Sequence, residues 1–449
     1  MTVDSWDVLP SRSARVDAGR DARRTAPRGR LADLTTTGRD PLGILERQNA
    51  ARVPELLPLR TERMAASPFA FYRGTAALMA ADLARDAGSG IPVASCGDAH
   101  VANFGLYASP QRTLVFDLND FDEAAWAPWE WDLKRLVTSV VIAGQSTGRA
   151  EGVVADAVTA TVRAYAHAID SYTRRSALAR YYEHFDVNGD RAVRDKAGRR
   201  VVRAAVRHAE RRTGERAARK LTEPDADGRL RFVEAPPAMT HLDADTSARV
   251  ESAIAGYLET ATADIRLLLQ HYRVSDTVRR AVGVGSVGTR CYVTILQDGD
   301  GNALLLQTKE AGRSVLVEHG GCLQPPDLTA LHETHGEGAR VVGMQRILQG
   351  VSDPFLGYLR GQTGHYYVRQ FRDMKGGIDI ETLEDGPFAL YAQACATTLA
   401  RAHSQSPNAA RVAGYIGSGR TVAAALRDWA YAYAALSRAD YDAFVAARG

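Results

Sequence analysis

Asp98 and Asn103 stand five positions apart in the polar turn Gly97-Asp-Ala-His-Val-Ala-Asn-Phe-Gly105. An apolar run ending in acid follows, Leu114-Val-Phe-Asp117, and then Leu118-Asn-Asp-Phe-Asp-Glu123. These side chains suit phosphoryl transfer to a hydroxyl. One aspartate takes the proton of the attacking hydroxyl, an asparagine five residues on holds a metal, and a second aspartate on the next hairpin holds Mg2+. The interval from Asn103 to Asp117 has the length of a short strand, a turn and a return strand. Asp98 is the expected base and Asn103 one metal ligand. For the second ligand, spacing from Asn103 favours Asp117, the Asp-Phe context favours Asp120, and Asp122 is a third choice. His100 either touches a phosphate or braces the loop. The same turn also suits a metallohydrolase built on Asp98, His100, Asp117 and Asp120, or a plain Asx-turn.

Far downstream, Val282-Gly-Val-Gly-Ser-Val-Gly288 sets Gly283, Gly285 and Gly288 in G-x-G-x-x-G spacing. In a dinucleotide fold the third glycine opens a helix. Here the run from Cys291 to Leu296 is β-branched and aromatic, and reads as a strand. Residues 298–302 read as a hairpin turn, and a second strand over 303–308 ends at Lys309. Strand, glycine loop, strand, turn and strand with a terminal lysine form a nucleotide cover. The backbone at Gly283, Gly285, Ser286 and Gly288 would approach the phosphates of ATP, and Lys309 would neutralise them. A β-meander with a surface lysine is the plainer reading of the same residues. Glu337 opens a run with helical spacing at Val341, Met344, Ile347 and Leu348. It is the expected partner of Lys309, or else a first-turn charge favoured by the helix dipole. The strand 365–371 is expected to line an adenine pocket, and Arg73, Arg369, Arg372 and Lys375 add positive charge nearby.

Several elements must position these groups. Helices are expected over 42–57, 70–85, 131–143, much of 152–220, 246–272, 388–403 and 422–447, with a short strand at 91–94. Asp132 is either a structural acid following the metal site or a first-turn charge. Residues 1–40, rich in Arg, Asp, Thr and Gly, are expected to be poorly ordered. The remaining organisation reads as a helical lobe over 41–272 with the catalytic and metal-binding loops, a β-rich nucleotide lobe over 273–385, and C-terminal helices over 386–449 that complete the helical lobe. The fold class is α+β, in two lobes.

The chain has 449 residues, 45% apolar and 24% charged, which suits a soluble globular protein. Its net charge of +3 selects no class of partner. The four cysteines are scattered without a C-x-x-C pair, which argues for reduced thiols in a cytoplasmic protein. No signal peptide or membrane span is expected. Residues 189–220 hold 12 Lys/Arg against 4 Asp/Glu. No aromatics interleave them, so a solvated helical face is favoured over a nucleic-acid surface.

The turn at 96–103 resembles H-G-D-x-H-x-x-N of the aminoglycoside and choline kinases. Asp98, His100 and Asn103 fit, while Cys96 stands at the leading His. The resemblance implies a protein-kinase-like fold with ATP and Mg2+ as cofactors and a hydroxyl acceptor, more often a small molecule. Because the catalytic turn precedes the glycine loop, that fold would be circularly permuted, which geometry-defined sites tolerate. Six segments, the turn itself among them together with Ser67-Pro-Phe-Ala-Phe-Tyr-Arg-Gly74, Glu130-Trp-Asp-Leu-Lys-Arg-Leu136 and Tyr367-Val-Arg-Gln-Phe-Arg-Asp-Met-Lys375, resemble a bacterial family of unknown function, domain of unknown function 2252. That resemblance runs from about residue 45 onward and implies little about substrate. The expected activity is ATP-dependent phosphotransfer. A nucleotide-binding pseudokinase, a protein nucleotidyltransferase and a metal-dependent phosphohydrolase are the alternatives.

Overall fold

Strand-forming runs occur in two regions, and each builds its own antiparallel pairing. The computed structural model of the chain describes residues 9–186, 196–362, 364–371 and 374–447. In the first region are β1 (Pro92–Ser95), β2 (Phe104–Ala108), β3 (Leu114–Leu118) and β4 (Ala125–Pro128). β2 and β3 form the anticipated hairpin, and β1 pairs with β4. Ser95 faces Ala125 while Phe104 faces Leu118. The connections 96–103 and 119–124 therefore run side by side, joined by the Asn119 N–H donating to the Asn103 carbonyl at 3.0 Å.

The second region begins with a small pair, β5 (Thr222–Pro224) and β6 (Leu230–Phe232). A six-stranded sheet follows: β7 (Met239–His241), β8 (Arg273–Arg280), β9 (Cys291–Gln297), β10 (Ala303–Ala311), β11 (Gly357–Gly361) and β12 (Gly364–Gln370), in the order β11-β12-β10-β9-β8-β7. Its pleat follows the sequence alternation. Tyr292, Leu296, Leu304 and Leu306 pack on one face with Tyr257 and Tyr366, while Val293, Ile295 and Leu305 pack on the other with Phe232 and Phe371. The glycine loop is the β8–β9 connection, and Lys309 sits on β10 between Cys291 of β9 and Tyr367 of β12. A last strand, β13 (Gly376–Gly377), pairs with the free edge of β2.

Helices surround the β2–β3 hairpin. Trp129–Ser146 is buried along nearly its whole length, against Glu151–Thr173, Asp385–His403 and Arg420–Ala446. Burial on all sides suits its run Leu-Val-Thr-Ser-Val-Val-Ile-Ala. Three expected helices are each broken. The 246–272 run divides into Ala244–Thr260 and Ala263–Leu269. The 42–57 run stops at Ala50, and after Pro54 the helix Leu57–Ala65 begins. The 70–85 run divides at Gly74 into Pro68–Arg73, capped by Ser67, and Ala76–Leu83.

The expectation of disorder over 1–40 is corrected for residues 9–40. Arg12–Ala22 is a helix that crosses Ala409–Ile416 at close range. Gly19 and Gly414 make the crossing possible, since a Cβ at either would lie 2.0 Å from a backbone oxygen of the other helix. Arg39 is nearly inaccessible and bridges Asp82 (2.8 Å) and Asp440 (2.6 Å). Of the ion pairs in this segment, those of Arg39 lie inside the fold, and Arg20–Asp17, Arg24–Asp21 and Arg30–Asp33 lie on its surface. The class is α+β with small antiparallel sheets. No described helix is long and apolar enough to cross a membrane.

Candidate functional site

The turn 98–103, the acids of 119–123, the glycine loop and Lys309 all open onto one cleft of about 1260 Å³. Asp98, Asn103, Asp120, Gly283, Gly285, Ser286 and Lys309 line it. Gly288, Asp117 and Glu337 are not among its lining residues.

Lys309 is 3% exposed, with Nζ 2.5 Å from Asp122 Oδ2 and 3.6 Å from Asp120 Oδ1. Tyr367 donates its hydroxyl to the other oxygen of Asp122 at 2.6 Å. Burial alone would lower the lysine, but Asp120 and Asp122 outweigh it and hold the ammonium well above its ordinary value. Burial likewise acts upward on Asp120, and Lys309, Arg369 and Lys375 overcome it, bringing that carboxyl down to about 2. Both groups are therefore charged at neutral pH. One Asp120 oxygen is sealed from solvent without a hydrogen-bond partner.

Asn103 donates its amide nitrogen to the carbonyls of Asp98 (3.0 Å) and Asp120 (3.2 Å). No described residue donates to its Oδ1. Asn103 Oδ1 and the Asp120 carboxylate are thus the oxygens suited to Mg2+, a hard cation usually held by one or two carboxylates together with substrate phosphates. No group of three or more His, Cys, Asp or Glu side chains able to hold a metal by itself occurs among the described residues. The donor set fits an ion that arrives with phosphates.

Two expected assignments are corrected. Asp117 is 1% exposed, and its oxygens accept from the N–H groups of Leu118 (2.8 Å) and Gly350 (2.7 Å). It lies within β3, opposite Gly105, on a side chain turned into the protein, whereas Asp120 follows the strand and reaches the cleft. Asp117 is a structural acid whose carboxyl burial pushes up. Glu337 does not pair with Lys309. It bonds the Nε of Arg340 one turn later at 2.5 Å, and that buried guanidinium donates to the carbonyls of Asp122, Ala124 and Gly312. The lysine finds its carboxylate on the acid segment, and the helix secures the backbone of that segment instead.

Asp98 Oδ1 accepts from Arg135 Nε (2.9 Å), with Nη2 of the same guanidinium 2.8 Å from that oxygen. Arg135 is held over the Tyr72 ring at 3.9 Å and bonds the Tyr72 carbonyl. His100 Nε2 lies 3.6 Å from Asp98 Oδ2, and its buried Nδ1 has no partner. Burial lowers this imidazole to about 4, so it is neutral at physiological pH. Asp132 braces the turn by accepting from the Cys96 (2.6 Å) and Gly97 (2.9 Å) N–H groups, with His403 behind it at 3.0 Å. Asp132 and Arg135 lie one turn apart on Trp129–Ser146 and so share a face. That i,i+3 spacing within Glu130-Trp-Asp-Leu-Lys-Arg is the sequence signal for Arg135. Glu123 accepts from the Val315 N–H at 2.8 Å, and burial pushes its carboxyl up to about 7.

The glycine loop is fastened to the helical part. Val53 N–H donates to the Gly288 carbonyl (2.8 Å), Arg63 to that of Gly283 (2.7 Å) and Arg52 to that of Val287. Gly288, at φ +91°, therefore shapes the loop from behind the cleft. Ser286 donates its hydroxyl to the Val282 carbonyl. Of the additional cations, Arg73, Arg369 and Lys375 line the cleft, and Arg372 lies outside the described residues.

Fold and site define an α+β protein in which a glycine loop and a buried lysine face an Asp-Asn turn and an acidic segment across one cleft. The family described as "Uncharacterized protein conserved in bacteria (DUF2252)" matches residues 52–447, and the chain belongs to that family. No curated protein and no solved structure matches the chain.

Proposed function

We propose that this chain is an ATP-dependent phosphotransferase of the protein-kinase type, circularly permuted, acting on a hydroxyl acceptor. The observation that carries the reading is the single charge cluster joining the two distant segments. Lys309 Nζ is 3.6 Å from Asp120 Oδ1, and one side chain, Asn103, bonds the backbone of both Asp98 and Asp120. The succession β8, glycine loop, β9, β10 with Lys309, and a following helix supports a nucleotide cover over that cluster.

In this reading Lys309 holds the phosphates of ATP, and the loop backbone at Gly283, Gly285 and Ser286 covers them. Mg2+ arriving with the triphosphate would supply charge neutralisation, and Asn103 and Asp120 would hold it. The acceptor oxygen bonds to the γ-phosphorus as the bond to the β-phosphate oxygen breaks. ADP leaves, and the hydroxyl proton passes to Asp98 Oδ2. Arg135 occupies Oδ1 and fixes the direction of the base.

Calorimetric titration with ATP, with and without Mg2+, tests the reading. Wild type binds Mg·ATP, Lys309→Ala weakens binding by about tenfold to a hundredfold, and Asp98→Asn binds without turnover. An absence of nucleotide binding by wild type overturns the proposal. The mass of the adduct formed on an acceptor separates phosphoryl from nucleotidyl transfer.

A further inference from the structure

Phosphotransfer as described leaves several cations of the cleft without a task, and among the described residues that line it Arg73 is the arginine whose Nε is both buried and unpartnered. Arg73 ends the helix Pro68–Arg73 and lines the cleft with Asp98 and His100. Its Nε is sealed from solvent with no hydrogen-bond partner, and its guanidinium makes no ion pair with any described residue. A partly dry guanidinium with an unpartnered N–H costs stability until an acceptor answers it. The neighbouring cations are already engaged: Lys309 by Asp120 and Asp122, Arg135 by Asp98, Arg369 by Gln307 and Arg52 by the Val287 carbonyl.

Arg73 also has a defined place in the cleft: its carbonyl lies against Gly285 of the glycine loop, and its chain neighbour Tyr72 holds Arg135, which holds Asp98. Lys309, Asp120 and Arg369 act on one another as one charged group. Arg73, Asp98 and His100 form a second group, in which Asp98 and then Glu381 are the carboxylates that act on Arg73, while Asp120 also acts on His100. Within this second group His100 is 6% exposed and has an unpartnered Nδ1. The lining carries nine Lys/Arg against seven Asp/Glu, so pairing leaves a positive excess. The cleft, at about 1260 Å³, exceeds the roughly 300–1,000 Å³ of an ordinary small-molecule site. A second reactant has room beside the nucleotide.

We propose that Arg73 selects the acceptor: a small hydroxyl compound bearing its own anionic group, phosphate or carboxylate, docks that group on Arg73 and turns its hydroxyl toward Asp98 Oδ2. This rests on the phosphotransferase reading for the fate of the hydroxyl, while the anion subsite stands on Arg73 itself. Arg73 is a recognition residue here, and its planar fork suits two parallel bonds to an oxyanion.

Calorimetry on the full chain tests this with glycerol 3-phosphate, glycerate and glycerol as probes, each with and without Mg2+ and a non-hydrolysable ATP analogue. At least one of the two anions binds and glycerol does not, which also tells phosphate from carboxylate. Arg73→Gln weakens that binding about tenfold or more, Arg73→Lys restores part of it, and Arg427→Gln on the exposed face of Arg420–Ala446 leaves it unchanged. Thermal unfolding of each variant verifies folding, and Arg73→Lys carries the test if Arg73→Gln does not fold. The proposal is overturned if neither anion binds, if Arg73→Gln binds as wild type does, or if the analogue displaces the anion, which would assign Arg73 to the triphosphate. If the analogue fails to bind while the anion still requires Arg73, the phosphotransfer reading falls and the anion subsite stands.

Discussion

Asp117 and Asp120 are the same residue type three positions apart, yet one is sealed against backbone amides and the other opens on the cleft. Asp117→Asn is expected to lower stability by about 1–3 kcal/mol in urea titrations while leaving Mg·ATP affinity intact; Asp120→Asn should do the reverse. Equal loss of affinity in both would contradict the assignment. Two more groups give opposing pH signatures. Glu123 is raised from 4.5 to about 7 in the folded state, so its contribution is present below pH 4.5 and lost as pH rises through 7. His100 is lowered from 6.5 to about 4, so its contribution is present above pH 6.5 and lost as pH falls through 4. Relative to wild type, Glu123→Gln should gain stability as pH rises across its window, and His100→Asn as pH falls across its own, each by at most about 3 kcal/mol. A pH-independent difference would refute the corresponding claim. The sequence made Asp98, Asn103, the glycines and Lys309 legible because their spacing is local. It could not tell Asp117 from Asp120, since only the pleat of β3 decides which of them points inward. Nor could it foresee that Arg340 would take Glu337 and leave Lys309 to Asp122, a pairing made across 187 positions.

Elements were legible wherever a short pattern sufficed. The strands of 291–311 and their Asp298–Asn302 turn follow from β-branched runs and turn chemistry, and the turn closes through the Asp298 side chain accepting from Asn302 N–H. Breaks at Pro54 and Gly74 were less legible, because amphipathic spacing continues across them in the sequence. The helix Ala409–Ile416 was missed altogether: it is only eight residues long, and its packing depends on backbone contact with Arg12–Ala22. The glycine loop gives a prediction at this scale. A Cβ at Gly288 would meet the Cβ of Arg52 at 3.0 Å in a left-handed backbone. Gly288→Ala should cost at least about 1 kcal/mol in thermal or urea unfolding, with nucleotide affinity falling as the loop shifts. Unchanged unfolding would show that the loop is not held as described.

At the scale of the molecule, the order of Asp-Asn turn before glycine loop was readable, and the cleft that unites them was not, because it depends on how sheet and helices pack. The helical part draws on both ends of the chain: Arg12–Ala22 crosses Ala409–Ile416, and Arg420–Ala446 packs on Trp129–Ser146 and Glu151–Thr173. The family match begins at residue 52, thirteen positions after the arginine that spans Asp82 and Asp440. A polypeptide trimmed to 52–447 would carry two acids shut away from water with their shared counterion cut off. Such losses run to about 3–5 kcal/mol, a large share of an ordinary domain's margin. The stretch by which relatives are recognised is shorter than the stretch that folds, and biochemistry on this protein should begin upstream of it.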